Sequence, residues 1–253
     1  MSERAGGKVT VVMPALNAAL TLASMFEAIP RDWVDEVIVV DDGSTDRTVE
    51  IARDLGAHVI WHPHTAGYGA NQKTCYLEAL QRDAAVVVML HPDGQYEPSL
   101  IPKLIEPIVG GESDMVLGSR MLEAGAARAN GMPRYKIAAN RALTRVENAV
   151  MRTSLTDLHT GYRAYSKELL LGVPFLRNSI DFSFDSEIIL QAAQLGFRIG
   201  EVPARSLYFQ DASSIGPAPA TVYGLKTLLA VARLALHRAG LRSRKYERSS
   251  GGY

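Results

Sequence analysis

Along this chain, short continuous apolar runs alternate with longer stretches in which apolar residues recur every three or four positions. The runs fall at 8–13, 36–40, 58–61, 84–90 and 115–117. They are rich in β-branched residues and too short for helices, so they predict buried strands. Val86-Val87-Val88-Met89-Leu90 has no polar position, as a strand covered on both faces requires. The periodic stretches predict helices over 19–29, 46–55, 70–82 and 98–109. Strand and helix in alternation is the pattern of an α/β protein, with a mostly parallel sheet and helices on both faces.

After Arg120 the rhythm changes. Residues 123–131, rich in Ala and Gly, predict a mobile loop, and 135–151 and 185–195 predict two more helices. Residues 198–205 predict a late strand closing the sheet. A Ser/Gly/Pro loop at 212–220 leads into a helix of roughly twenty residues that reaches Gly240, and 248–253 predict a disordered end. The expected division is one main unit, 1–215, and a C-terminal elaboration, 216–253, made of an amphipathic helix and a basic tail.

Composition narrows the class. The chain has 253 residues, 47% of them hydrophobic, which is ordinary for a soluble globular protein. The single Cys75 excludes a disulfide framework and a cysteine metal site. No run approaches the 18 apolar residues of a membrane span, and residues 1–8 lack a signal-peptide core. These features predict a cytoplasmic protein.

Charge adds one asymmetry. The 27 basic and 27 acidic residues cancel, so no global field attracts nucleic acid. From Lys226 onward, however, the chain carries +6, and the rest carries −6. A basic end on an acidic body suits an anionic partner, such as a membrane surface, or simple solubility. Lys226, Arg233, His237 and Arg244 fall on one helical stripe, with Leu225, Leu228, Leu229, Val231 and Leu236 largely away from it. Such a helix can lie at an anionic interface, on the protein's own core, or on a second subunit in a homo-oligomer.

Three loops follow strand ends, where parallel sheets bind ligands. They are Pro14-Ala15-Leu16-Asn17, Asp41-Asp42-Gly43-Ser44-Thr45-Asp46 and His91-Pro92-Asp93-Gly94-Gln95. Ser44, Thr45 or Asp46 can cap the following helix. Asp41 and Asp42 pack poorly but accept well, which suits the N–H of a base or a ribose hydroxyl. In the third loop Asp93 is a hard oxygen ligand, Gln95 offers a carbonyl and His91 an imidazole. Mg²⁺ takes one or two carboxylates plus substrate phosphates, and Mn²⁺ tolerates imidazole better.

Taken in order, these and later motifs resemble family 2 glycosyltransferases of the GT-A (Rossmann-like) fold. The residues that carry the resemblance are 39–46, Asp93-Gly94-Gln95, Gly118-Ser119-Arg120, Thr160-Gly161-Tyr162-Arg163, Phe184-Asp185-Ser186-Glu187 and 196–203. Dolichyl- and polyprenyl-phosphate mannosyl- and glucosyltransferases are the most similar branch.

The resemblance implies a sugar-nucleotide donor bound by Pro14, Ala15, Leu16, Asn17, Asp41 and Asp42. It implies a divalent cation at Asp93, with Gln95 and His91 beside it. Arg120 would meet a phosphate, Arg134 would receive the acceptor phosphate, and Gly67, Gly69, Asn71 and Lys73 would form a turn approaching the donor. Lys73 can equally be a solvated helix residue. One departure stands out: the family's metal motif reads Asp-x-Asp, and His91 takes its first position.

Transfer requires stabilisation of the leaving diphosphate, by cation and Arg120, and an activated nucleophile. A hydroxyl acceptor needs a base, for which Asp185, Glu187 and His159 are candidates. A phosphate acceptor is already anionic and needs cations instead. Between Gly118 and Arg163 basic residues exceed acidic ones by 5, which fits a phosphate. The expectation is an inverting hexosyltransferase using a GDP- or UDP-sugar, with polyprenyl phosphate as acceptor and a peripheral place at the membrane. Transfer to a soluble or glycan hydroxyl, or a weakly active nucleotide-sugar-binding scaffold, are the alternatives.

Overall fold

The computed structural model describes residues 7–206 and 217–249. Seven strands, β1 (Val9–Ala15), β2 (Glu36–Asp41), β3 (His58–Trp61), β4 (Val86–Met89), β5 (Met115–Ser119), β6 (Arg163–Ser166) and β7 (Ile199–Pro203), form one sheet. The order is β3-β2-β1-β4-β6-β5-β7. The helices are α1 (Leu22–Glu27), α2 (Thr48–Asp54), α3 (Tyr68–Gln81), α4 (Ile101–Val109), α5 (Ala126–Ala129), α6 (Arg134–Met151), α7 (Lys167–Gly172), α8 (Phe184–Gln194) and α9 (Pro217–Arg238).

Alternation along each strand distributes side chains to two cores. Val12, Ile38, Val40, Val87 and Met89 join the core under α3, α8 and α9. Val11, Met13, Val37, Val39, Val86 and Val88 join the core under α1, α2 and α4. Each such side chain contributes about 1.5–3 kcal/mol on burial, which is why the strands contain almost no polar position.

β6 is the element the apolar pattern does not announce. Its four residues, Arg-Ala-Tyr-Ser, include an Arg163 that is 1% exposed. It runs antiparallel to both β4 and β5, while every other pair in the sheet is parallel. Pairing on both edges compensates for the missing apolar run.

Other boundaries differ for local reasons. α1 begins at Leu22 rather than 19 because the backbone N–H groups of Ala18 and Ala19 donate to Thr48 Oγ1 and Asp46 Oδ2, at 2.8 and 3.1 Å. The segment 123–131 contains the single turn α5. Of the expected loop at 212–220, residues up to 216 lie outside the described residues, and Pro217 onward is already α9. Residues 250–253 of the expected disordered end also lie outside them.

The C-terminal segment returns to the body. α9 ends at Arg238, so Arg244 is not on its basic stripe. Arg244–Tyr246 form a 3-10 turn in which Tyr246 is buried, its hydroxyl donating to Ala230 O at 2.8 Å. α9 buries Thr227, Ala230, Val231 and Leu234 and turns Leu225, Leu228, Leu229 and Leu236 outward. Among the described residues no helix is long and apolar enough to cross a membrane.

Candidate active site

The strand order reverses between β1 and β4, so the loops after β1, β2 and β4 converge at the carboxyl edge of the sheet. Pro14 and Ala15 are buried in β1 itself, opposite Val40 and Asp41. Leu16 emerges half-exposed at the edge. Asn17 turns left-handed (φ 51°) and joins two loops: its N–H donates to Ser44 Oγ at 2.7 Å, and its Oδ1 accepts from Thr45 N–H at 2.9 Å.

The adjacent aspartates separate in role. Asp42 is filled by three donors, the N–H groups of Ala66 and Gly67 at 2.9 and 3.0 Å and His62 Nδ1 at 2.9 Å. It holds the 62–67 segment against the sheet. Asp41 accepts from the N–H groups of Gly43 and Ser44 through Oδ1, at 3.2 and 3.0 Å. Its buried Oδ2 has no partner among the described residues, the arrangement that costs most unless a ligand donor fills it.

A pocket of about 180 Å³ brings together His91, Asp93, Gln95, Arg120 and Asp185, with His159 and Tyr223 in the same wall. His91 faces Tyr68: Nε2 lies 3.2 Å from the phenol oxygen and the rings stack at 5.6 Å. Burial pushes the imidazole pKa down, against the opposing pull of Asp93 and Asp185. Asp93 Oδ1 accepts from Gln95 N–H at 3.0 Å. Among the described residues no three His, Cys, Asp or Glu side chains cluster as a self-sufficient metal site.

The charged side chains of this pocket are tightly held. Arg120 donates to Asp157 through Nε and Nη2 at 2.7 and 2.9 Å, and to His159 O at 2.9 Å. Despite the opposing effect of burial, the guanidinium and Asn140 hold the Asp157 carboxyl well below the usual range. Asp185 accepts from Tyr68 Oη, Gln72 Nε2 and Arg163 Nη1, at 2.8, 3.0 and 3.0 Å. Glu187, two residues on, points to another face and accepts from Ser179 N and Oγ and from Lys245. Lys73 donates to Asn178 O and is not in the pocket wall.

Arg134 lies elsewhere. It lines a separate cavity of about 410 Å³ with Arg128, Arg141, Glu123, Met121 and Ile137. Arg134, Ile137 and Arg141 project from one face of α6, as their spacing of three and four dictates. The two cavities are neighbours, since Arg120 lines the first and Met121 the second.

Sequence reasoning did not find Tyr68, Gln72, Asp157 or Tyr223. A signal for the first two exists: Tyr68, Gln72 and Tyr76 recur every four residues on α3, a polar-aromatic stripe facing inward. Asp157 and Tyr223 carry no such mark.

The sequence pattern of "Glycosyl transferase family 2" matches residues 10–172. A dolichyl-phosphate hexose transferase of Haloferax volcanii is 35% identical over 205 residues, covering 80% of this chain and 84% of its own. An undecaprenyl-phosphate mannosyltransferase of Micrococcus luteus is 29% identical over 206 residues, covering 78% and 82%. In structure the chain is similar to glucosyl-3-phosphoglycerate synthase of Mycobacterium tuberculosis, solved with Mn²⁺, UDP and phosphoglyceric acid. That match has a TM-score of 0.68 at 20% identity and covers 90% of this chain and 78% of the other. With the GT-A-like sheet, the strand-end carboxylates and a family match over most of its length, this chain belongs to glycosyl transferase family 2 and is a glycosyltransferase.

Proposed function

We propose that the enzyme moves a hexose from a GDP- or UDP-sugar to a polyprenyl phosphate, with inversion at the anomeric carbon. The arginine-lined cavity carries this reading. Arg128, Arg134 and Arg141 supply positive charge, and Met121 and Ile137 supply an apolar wall, beside the pocket that contains Asp93. An anionic head on an apolar chain matches both, with Glu123 the one opposing charge. The named relatives that act on dolichyl and undecaprenyl phosphates support the same acceptor class.

The donor belongs at the sheet edge. The vacant acceptor of Asp41 Oδ2 suits a base N–H or a ribose hydroxyl, while Leu16 flanks the opening. Asp93 and Gln95 would hold Mg²⁺ or Mn²⁺. A single carboxylate suits an ion whose coordination the donor diphosphate completes. Bound there, the cation would offset charge on the leaving diphosphate. His91 serves better to orient Tyr68, which its Nε2 already meets. Arg120 and Asp157 together present a rigid, largely neutralised pair rather than a bare cation.

The outward leucines of α9 support a peripheral position at an anionic membrane, where a polyprenyl phosphate resides. The test is kinetic. Arg134→Ala should raise KM for undecaprenyl phosphate by roughly tenfold or more, since one charge-assisted hydrogen bond contributes about 1.5–3 kcal/mol. Donor affinity should stay constant. An unchanged KM would refute the acceptor assignment.

A further inference from the structure

The basic C-terminal part meets anionic partners within the chain itself. Lys226 on α9 donates to Asp181, and Lys245, in the turn after α9, donates to Glu187. Both acids belong to 181–187, the stretch that also supplies Phe182 and Asp185 to the pocket.

The two pairs are not equivalent. The side chains of Lys226 and Asp181 are 46% and 40% exposed, where an ion pair contributes little. Those of Lys245 and Glu187 are 16% and 3% exposed. Glu187 also accepts from the N–H and the hydroxyl of Ser179, at 2.7 and 3.0 Å. All these groups donate, as an ionised carboxylate requires. Lys73 faces the same carboxylate from α3, but its ammonium donates to Asn178 O. Lys245 is therefore the cation in direct contact with Glu187.

Lys245 is held in place by more than this pair. Its carbonyl accepts from Gln191 Nε2 at 2.9 Å, and the carbonyl of Arg244 accepts from Arg177. The hydroxyl of buried Tyr246 donates to Ala230 O, and Ser249 N–H donates to Gly172 O at 3.2 Å. The turn is docked by these groups, which leaves the Lys245 side chain to neutralise Glu187.

From Glu187 the contacts run to the pocket. Ser179 is followed by Ile180, whose carbonyl accepts from Gly69 N–H at 2.8 Å. Phe182 then packs on Tyr68, with ring centres 4.4 Å apart. Tyr68 in turn donates to Asp185 and meets His91 Nε2. Ser179 O lies so near Gly69 that a Cβ there would come to 2.5 Å. The segment and the start of α3 thus have no slack between them.

We propose that Lys245 is a positioning residue for sugar transfer. By neutralising Glu187 it fixes 179–183 against the start of α3, and so sets Phe182, Tyr68 and Asp185 in the pocket wall. This rests on the reading of that pocket as the place of transfer. Lys245 is not in the pocket wall and acts through Glu187. Without the cation a buried carboxylate is left uncompensated, the condition that makes a broken buried pair costly. Glu187 then gains by turning toward water, which releases Ser179.

The test compares wild type, Lys245→Met and the double variant Glu187→Gln/Lys245→Met. Turnover is measured with undecaprenyl phosphate and a panel of GDP- and UDP-sugars. Calorimetry gives the affinity for GDP and UDP with Mn²⁺, and mass spectrometry follows amide hydrogen exchange. Lys245→Met should lower kcat about tenfold or more, since a misplacement of about 1 Å can cost about a hundredfold. Nucleotide affinity should stay constant, because the loops after β1 and β2 take no part in these contacts. Exchange should quicken in 178–184 and at the start of α3, and stay as in wild type in β1, β2 and β4. Glu187→Gln removes the stranded charge while its amide oxygen still accepts from Ser179 N–H, so the double variant should recover most of the lost turnover.

Unchanged turnover in Lys245→Met would overturn the proposal. So would a loss that the double variant does not recover, or faster exchange spread evenly over the chain, since either makes Lys245 a tie for stability alone. A wild type that turns over no donor with this acceptor overturns the acceptor reading, and hydrogen exchange then decides the role of Lys245. A local loss of protection at 178–184 in Lys245→Met upholds it, and unchanged protection there overturns it.

Discussion

Asp157 and Arg120 are locked together at 2.7 and 2.9 Å, and Asn140 holds the same carboxylate at 2.8 Å. The pair joins the end of β5 to the segment after α6 and forms part of the pocket wall. Asp157 is fully buried and the Arg120 side chain is 11% exposed. Removing one partner therefore strands the other.

Asp157→Asn should cost about 3–5 kcal/mol at pH 7, the usual loss when a buried pair is broken. The sign with pH is defined. The Asp157 carboxyl is depressed in the folded state, so its contribution is complete above the unfolded value near 4 and declines as pH falls below it. Urea unfolding of the variant should show a shallower loss of stability from pH 4 downward than wild type.

Asp42 and Asp41 should separate stability from binding. Asp42→Ala leaves two backbone N–H groups without their acceptor and should cost about 2–3 kcal/mol in thermal or urea unfolding. Asp41→Asn retains an oxygen for Gly43 and Ser44 and should unfold closer to wild type. Its donor affinity, by calorimetry, should fall by about tenfold, the value of one charge-assisted bond.

Gly69 is a point of close approach. A Cβ there would lie 2.5 Å from Ser179 O and 2.9 Å from Phe184 Cβ, with Asp181 O at 3.0 Å. Gly69→Ala should destabilise by about 1–3 kcal/mol. It should also lower activity in proportion, because the displaced segment continues into Phe182 and Asp185 of the pocket. Unchanged melting would show that the segment yields freely.

Asp93→Ala tests the cation. Calorimetry with GDP- and UDP-sugars, with and without Mn²⁺, should show one donor that binds wild type in a metal-dependent way and fails to bind the variant. Equal binding by both proteins would remove Asp93 from the metal site.

Leu225 and Leu229 lie on the outward face of α9, 62% and 50% exposed. Replacing both by Glu should change stability by less than about 0.5 kcal/mol per site, as exposed substitutions do. Co-flotation with anionic vesicles should nonetheless be lost. Retained flotation would exclude this face from membrane contact.

Much of this protein is legible in its sequence because the relevant physics is local. Val86 to Leu90 has no polar residue, as a strand buried on both sides requires, and Asp93 follows it at the edge where ligands bind. The separation of Asp185 from Glu187 is equally local, since two residues along a helix turn a side chain to another face. β6 was not legible, because Arg163 looks unsuited to a sheet until Asp185 lies 3.0 Å away.

The sequence by itself determined the strand and helix alternation, the loaded loops at strand ends and the family they resemble. Periodicity and short motifs depend on neighbours along the chain. The tertiary structure alone decided which acids are free to act. Asp41 and Asp42 are adjacent and chemically identical, yet Asp42 is filled by Ala66, Gly67 and His62, while Asp41 Oδ2 has no partner among the described residues. His159 is one base candidate among several in the sequence, and only packing brings Glu147 Oε2 and the Tyr223 hydroxyl to 3.1 and 2.8 Å from its two nitrogens. Such roles depend on donors brought from distant segments, and only packing determines which donors arrive.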